Sequence, residues 1–304
     1  MKLRRTHVIA MTNQKGGCGK TTATIGLAAA LVAEGCSVAV VDTDPQCNAT
    51  DTVDINRDQL AREGKLTLAD AYLAQAPARS IEYHFGDRFG GHLTVVPGHR
   101  GLGTVRARLE SELQVAIANG TYSDLDAEEI KSEHRQRLKK SLASLRGQRD
   151  IVLIDTPPDL DFLQSTALIA ADWVIIPVFA SGYDLDGLET LTRTVQKVRE
   201  RYNAELSLLG VLLGNVDQRA KLDSDIYAAL IKFFGQDSVF ETVLHRFVKH
   251  REATVNGKTI IEHAPGHQAA EEFLTLAREV LQKLARADEE EEGNVVTRLE
   301  VNRA

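Results

Sequence analysis

Long hydrophobic runs, paired cysteines and an excess of positive charge are all missing from this chain of 304 residues, and each absence removes a class of protein. No apolar stretch approaches the roughly 20 residues that a membrane-spanning helix needs. The start, Met-Lys-Leu-Arg-Arg-Thr-His, gives way to only a short apolar segment, so no secretory signal is expected. The cysteines Cys18, Cys36 and Cys47 are odd in number and lack metal-site spacing, which makes reduced cytosolic thiols the expectation. A net charge of −7 argues against indiscriminate nucleic-acid affinity over the whole surface, although it is compatible with a local basic patch. What remains is ordinary globular composition, with 43% apolar and 26% charged residues. The length suits one large domain over residues 1–287, followed by an acidic, flexible tail over residues 288–304.

Within that composition one segment stands out. Lys15 to Thr22 reads Lys-Gly-Gly-Cys-Gly-Lys-Thr-Thr, directly after the apolar run Val8-Ile-Ala-Met11. A strand, a glycine-rich turn and a helix opening on Lys-Thr form a phosphate-binding loop. Gly16, Gly17 and Gly19 allow successive N–H groups to turn inward around an anion, and the helix N-terminus adds its partial positive charge. Lys20 places a charge on the β- and γ-phosphates, with Cys18 and Thr22 completing the cradle. The Thr21 hydroxyl suits Mg²⁺, a hard cation that prefers oxygen. Lys15 is surplus to this pattern, because the ordinary motif needs only the lysine at position 20.

Two further segments carry carboxylates at strand ends. Val38-Ala-Val-Val41 is a continuous apolar run, as expected for a strand buried on both faces, and Asp42 and Asp44 follow it. Ligands of open α/β sheets bind at such carboxyl ends. Ile151-Val-Leu-Ile154 leads in the same way to Asp155, after which Pro157 and Pro158 stiffen the loop.

Lys-Gly-Gly-x-Gly-Lys-Thr resembles the deviant Walker A box of the ParA/MinD ATPases. Asp42-Thr-Asp-Pro-Gln-Cys-Asn48 and Asp155-Thr-Pro-Pro158 are similar to two other boxes of that family. The resemblance implies a P-loop α/β fold, a mainly parallel twisted sheet with helices on both faces. It implies ATP and Mg²⁺ as cofactors, with weak intrinsic ATP hydrolysis. It assigns Lys15 to the phosphates of a partner subunit's ATP, Lys20 to the chain's own, and Asp44 to the attacking water. Thr21, Asp42 and Asp155 are assigned to the metal and its shell. Asn215 and Arg246 fall where the family holds adenine. His245 and Ser181 depart from the family, which usually has proline and glutamate there, and residues 50–91 match it least.

The alternation of apolar runs and amphipathic stretches predicts helices at Thr22–Glu34, Leu66–Ala76, Val105–Ala118, Ala127–Leu145, Leu185–Tyr202, Leu222–Phe234 and Gln268–Leu284. Strands are expected at Val38–Val41, His92–Pro97, Ile151–Ile154, Trp173–Val178, Leu206–Leu213 and Val239–Leu244.

The branches of the family divide on the remaining residues. The acidic run Asp288–Glu292 would be repelled by anionic lipid, which argues against membrane binding. No cysteine lies beyond Cys47, which excludes an iron–sulfur branch. Arg193, Lys197 and Arg201 recur along one helix face, with Arg219, Lys221, Lys249 and Arg251 further on, a set that suits non-specific DNA. The expectation is therefore a nucleoid-associated, cytoplasmic partition ATPase. It would form an ATP sandwich homodimer on DNA and be released when a ParB-like adaptor stimulates hydrolysis. Two alternatives stay open: a nucleoid-bound ATPase that positions a protein cargo, and a regulator that binds ATP with little hydrolysis.

Overall fold

A computed structural model describes residues 3–123, 125–158, 162–180, 185–217 and 221–301. The chain enters as β1 (His7–Met11) and α1 (Lys20–Ala33), then β2 (Val38–Asp42) and the short helices α2 (Asn48–Thr52), α3 (Arg57–Arg62) and α4 (Leu68–Leu73). An edge strand β3 (Tyr83–His84), β4 (Leu93–Val96), and helices α5 (Leu102–Ala118) and α6 (Ala127–Leu142) follow. The second half runs β5 (Ile151–Asp155), α7 (Phe162–Ala170), β6 (Trp173–Phe179), α8 (Leu185–Arg201), β7 (Ser207–Val216) and α9 (Lys221–Phe234). It closes with β8 (Leu244–His245), α10 (Val248–Val255), α11 (Ile260–His263) and α12 (Gln268–Val301).

The strands form one sheet in the order β3-β4-β2-β5-β1-β6-β7-β8, parallel throughout except for β3. β1, β2 and β5 are apolar at nearly every position and wholly buried, because helices cover both faces of the sheet. One face packs Leu68, Tyr72, Leu109 and Leu138; the other packs α1 against Phe273 and Leu276 of α12. β1 lies between β5 and β6, so the strand that feeds the glycine loop is central, at the reversal of strand order where open α/β sheets bind ligands.

The sequence pattern predicts most of these elements, and its failures have identifiable physical causes. The expected strand Val239–Leu244 shrinks to an isolated bridge at Val239 and the two residues of β8. The N–H groups of Glu241 and Thr242 donate instead to the Glu279 carboxylate of α12, at 2.8 and 3.0 Å. The helix expected at Leu66–Ala76 is shorter because a capping box of Thr67 and Asp70 sets its start. The expected tail boundary also needs correction. Asp288 belongs to α12, is 6% exposed, and accepts hydrogen bonds from the Arg4 N–H and the Arg5 guanidinium. A carboxylate with those partners is held in the fold, so Asp288 is no part of a solvated tail.

Candidate functional site

The loop between β1 and α1 has the backbone that its glycines permit. Gly17 and Gly19 have φ of 71° and 81°, a region closed to most other residues. Asn13 anchors the approach: its side chain donates to the Pro177 carbonyl and accepts the Lys15 N–H. Lys20 is 7% exposed, and its Nζ donates to the Lys15 carbonyl at 3.2 Å. Lys15 itself is exposed. The two lysines therefore differ in kind: one is built into the loop, and the other stands at its outer surface.

Three carboxylates converge beside the loop. Asp42 and Asp155 are register partners across β2 and β5, and both are completely buried. The Thr21 hydroxyl donates to Asp155 Oδ2 at 2.7 Å, and the Thr24 hydroxyl lies 3.2 Å from Oδ1. Burial, reinforced by the Asp42 charge, pushes the Asp155 carboxyl up to about 8. Burial likewise raises Asp42, to about 6. Asp44 is 8% exposed and turns its Oδ1 to the Gln46 N–H at 2.8 Å. A divalent cation fits here, because the hydroxyl of Thr21 and the carboxylate of Asp155 are hard oxygen donors in a cluster short of positive charge. Asp42 is engaged elsewhere: its Oδ2 accepts both the N–H and the hydroxyl of Thr50, and its Oδ1 accepts the Asp44 N–H. It therefore fixes the Asp42–Asp44 turn.

Two adjoining clefts flank the loop. The first, of about 470 Å³, is lined by Gly16 through Thr22, Asp44, Gln46, Asn48 and Thr254. The second, of about 300 Å³, is lined by Asn215 and Arg246 together with Phe247, His250 and Phe273. Cys18, Gly19, Thr22, Phe179 and Thr254 border both. Burial lowers the titration of His250, so its ring faces the second cleft uncharged near neutrality. The dimensions and chemistry suit phosphates in the first cleft and a flat heteroaromatic base in the second.

Most of the residues singled out in the sequence meet here: Lys20, Gly16 through Thr22, Asp44 and Asp155 around the first cleft, Asn215 and Arg246 around the second. Lys15 lines a third opening, of about 410 Å³, with Asn13, Gln14, Gly16 and Leu188. The buried Gln14 Nε2 near it has no hydrogen-bond partner among the described residues. Cys18 is buried, and its desolvated thiol is raised above its ordinary value.

The basic set divides. Arg251, assigned by sequence to a DNA surface, is exposed and also borders the second cleft. Lys249 pairs with Glu252 at 2.7 Å, and Arg193 pairs with Glu189 at 2.6 Å. Lys197 and Arg201 are exposed on α8 with Arg193. Arg219 lies outside the described residues, as does the side chain of Lys221 at the start of α9. Phe179, His250 and Thr254 escaped the sequence reading. Phe179 had a signal, since it directly follows the expected strand Trp173–Val178 and ends the observed β6. His250 and Thr254 had none, because only the fold of α10 brings them to the nucleotide side.

A model of the AAA domain family matches residues 6–208. The sporulation initiation inhibitor protein Soj of Bacillus subtilis is 34% identical, covering 90% of this chain and 97% of its own length. The chromosome-partitioning ATPase Soj of Thermus thermophilus is also 34% identical, over 94% of this chain and 98% of its own. Among solved structures, cobyrinic acid a,c-diamide synthase from Mycobacterium smegmatis with bound ADP and magnesium is similar with a TM-score of 0.70 and 25% identity. That likeness covers 91% of this chain and 94% of the other.

Proposed function

We propose a DNA-partition ATPase cycle for this chain, which belongs to the ParA/MinD family of deviant Walker A ATPases. The single observation that carries the reading is the contrast between its two loop lysines. Lys20 is buried against the loop and completes the cradle for the chain's own phosphates. Lys15 is exposed beside a separate opening, where it can reach a nucleotide held by a second copy. The ATP-bound form is then a sandwich homodimer whose stability depends on both subunits being loaded.

In this reading Gly16 to Thr22 hold the triphosphate through backbone N–H groups, and Lys20 neutralises its outer oxygens. Thr21 and Asp155 are the residues that would hold Mg²⁺, which would supply positive charge beside the phosphates. Asp44, turned toward the phosphate cleft and fixed by Gln46, orients the attacking water. Lys15 from the partner adds charge that strengthens in the transition state. Asn215 and Arg246 border the base. The exposed face of α8, with Arg193, Lys197 and Arg201, is the best supported DNA surface, joined by Arg219 and Lys221. DNA is bound without sequence preference through phosphate contacts. A ParB-like adaptor stimulates hydrolysis and releases the dimer from the nucleoid.

The decisive experiment is Lys15→Gln, followed by light scattering for the dimer and by phosphate release. ATP binding persists, whereas the ATP-dependent dimer and adaptor-stimulated hydrolysis disappear. A variant that dimerises and hydrolyses like the parent overturns the reading. Charge reversal at Lys197 and Arg201 abolishes ATP-dependent DNA retention; equal retention removes α8 from the DNA surface. Capture of partners by the Asp44→Ala form, locked in its ATP state, then separates partition from positioning: a centromere-binding adaptor supports the first, a cargo scaffold the second.

A further inference from the structure

Phe179 and Cys18 each border all three openings around the loop, the phosphate cleft, the base cleft and the opening lined by Lys15, and of the two only Phe179 carries a ring. It ends β6, beside β1 on one side and β7 on the other. Its ring occupies a slot made by two glycines. A Cβ on Gly19 would stand 2.5 Å from the ring, and one on Gly214 would stand 3.4 Å from it. Gly19 is in the phosphate loop and Gly214 adjoins Asn215, so the ring sits where the loop and the base side of the site come closest. The absence of a side chain at Gly19 admits the ring to the loop backbone.

A nucleotide with its phosphates in one cleft and its base in the other has to carry its sugar across the border shared by Cys18, Gly19, Thr22, Phe179 and Thr254. Phe179 is the large apolar group on that border. A planar ring offers a base or sugar a broad contact that is rigid and costs little side-chain entropy, which an aliphatic residue cannot match.

We propose that Phe179 is a specificity-determining residue, the platform on which the nucleoside part of the nucleotide packs. It makes affinity depend on the base and sugar rather than on the phosphates alone. The inference deepens the nucleotide-binding reading and rests on it. The ring contributes to nucleoside recognition, whereas Lys20 and the loop N–H groups contribute to the phosphates.

The test compares two probes, ATP and inorganic tripolyphosphate, by calorimetric titration of the full chain with magnesium. Phe179→Leu keeps apolar volume in the slot and removes the planar face. It weakens ATP roughly tenfold and leaves tripolyphosphate unchanged. Phe179→Tyr keeps the ring and restores the preference for ATP. Parallel loss of both probes in Phe179→Leu would assign the ring only to the shape of the loop and overturn the proposal, as would an unchanged affinity for ATP. Failure of the parent chain to bind either probe would instead remove the nucleotide reading itself, so the two failures are distinguishable.

Discussion

Carboxylates gather at both ends of the sheet, buried at one and mostly half-buried at the other, and they are treated in opposite ways. At the end that bears the glycine loop, Asp42, Asp44 and Asp155 face one another with Lys20 as the nearest built-in cation, and Asp155 is driven up to about 8. At the other end, Asp172 accepts the Val8 N–H at 2.8 Å and a two-pronged contact from Arg146. Asp150 accepts the N–H and hydroxyl of Ser37, both at 2.7 Å, and Asp288 takes Arg4, Arg5 and His7. One end is electrostatically incomplete and the other is saturated. The incomplete end is where a cation and a polyphosphate belong, since a carboxylate cluster this buried is tolerated when a ligand completes it. The saturated end holds the two chain ends and the sheet together.

The contrast is broken most severely at Lys20. Lys20→Ala lowers the hydrolysis rate at saturating ATP by a factor of about 10² or more, measured by phosphate release, because a charge aimed at the transition state is gone. A loss below tenfold means the loop cation is not where the phosphates react. Next comes Asp172→Ala, which destabilises the fold by about 1–2 kcal/mol in urea titration, since it leaves the buried Val8 N–H without its acceptor. Asp155→Asn has the opposite sign. It removes a buried carboxyl that must take up a proton on folding and raises the melting temperature of the nucleotide-free protein by a few degrees, a gain of about 1 kcal/mol, while hydrolysis is lost. If both aspartates destabilise alike when changed, the two ends do not differ as described.

The smallest expected effect concerns pH. His7 is fully buried, and desolvation lowers its titration below 6.5 despite the nearby Asp288; Arg5 and Asp172 also act on it. The Trp173 indole N–H donates to His7 Nδ1 at 3.1 Å, which requires that nitrogen to be unprotonated. As pH falls below the unfolded value, the unfolded chain binds a proton that the folded ring refuses, so stability declines on the acid side. His7→Gln therefore shows a smaller loss of melting temperature between pH 7.5 and pH 5.5 than the parent chain. An equal loss in both places the acid sensitivity elsewhere.

Legibility from sequence followed the range of the contacts. The loop, the Asp42–Asp44 turn and the strand ending at Asp155 are each local, so period, glycine placement and strand-end carboxylates revealed them in order. β8 and α12 were misjudged because their extents depend on a partner far away in the chain: Glu279 captures the N–H groups of Glu241 and Thr242, and Asp288 is held by the chain's first residues.

Sequence by itself determined the phosphate chemistry of this protein, because one short segment between a strand and a helix supplies the glycines, both lysines and Thr21 without help from the rest of the chain. Only the tertiary structure decided what surrounds that loop. Phe179, Asn215 and Arg246 come from separate strand ends, and His250 and Thr254 from a short helix beyond them. They form one wall because β6, β7 and β8 lie side by side in a single sheet, an adjacency set by long-range pairing that no local pattern encodes.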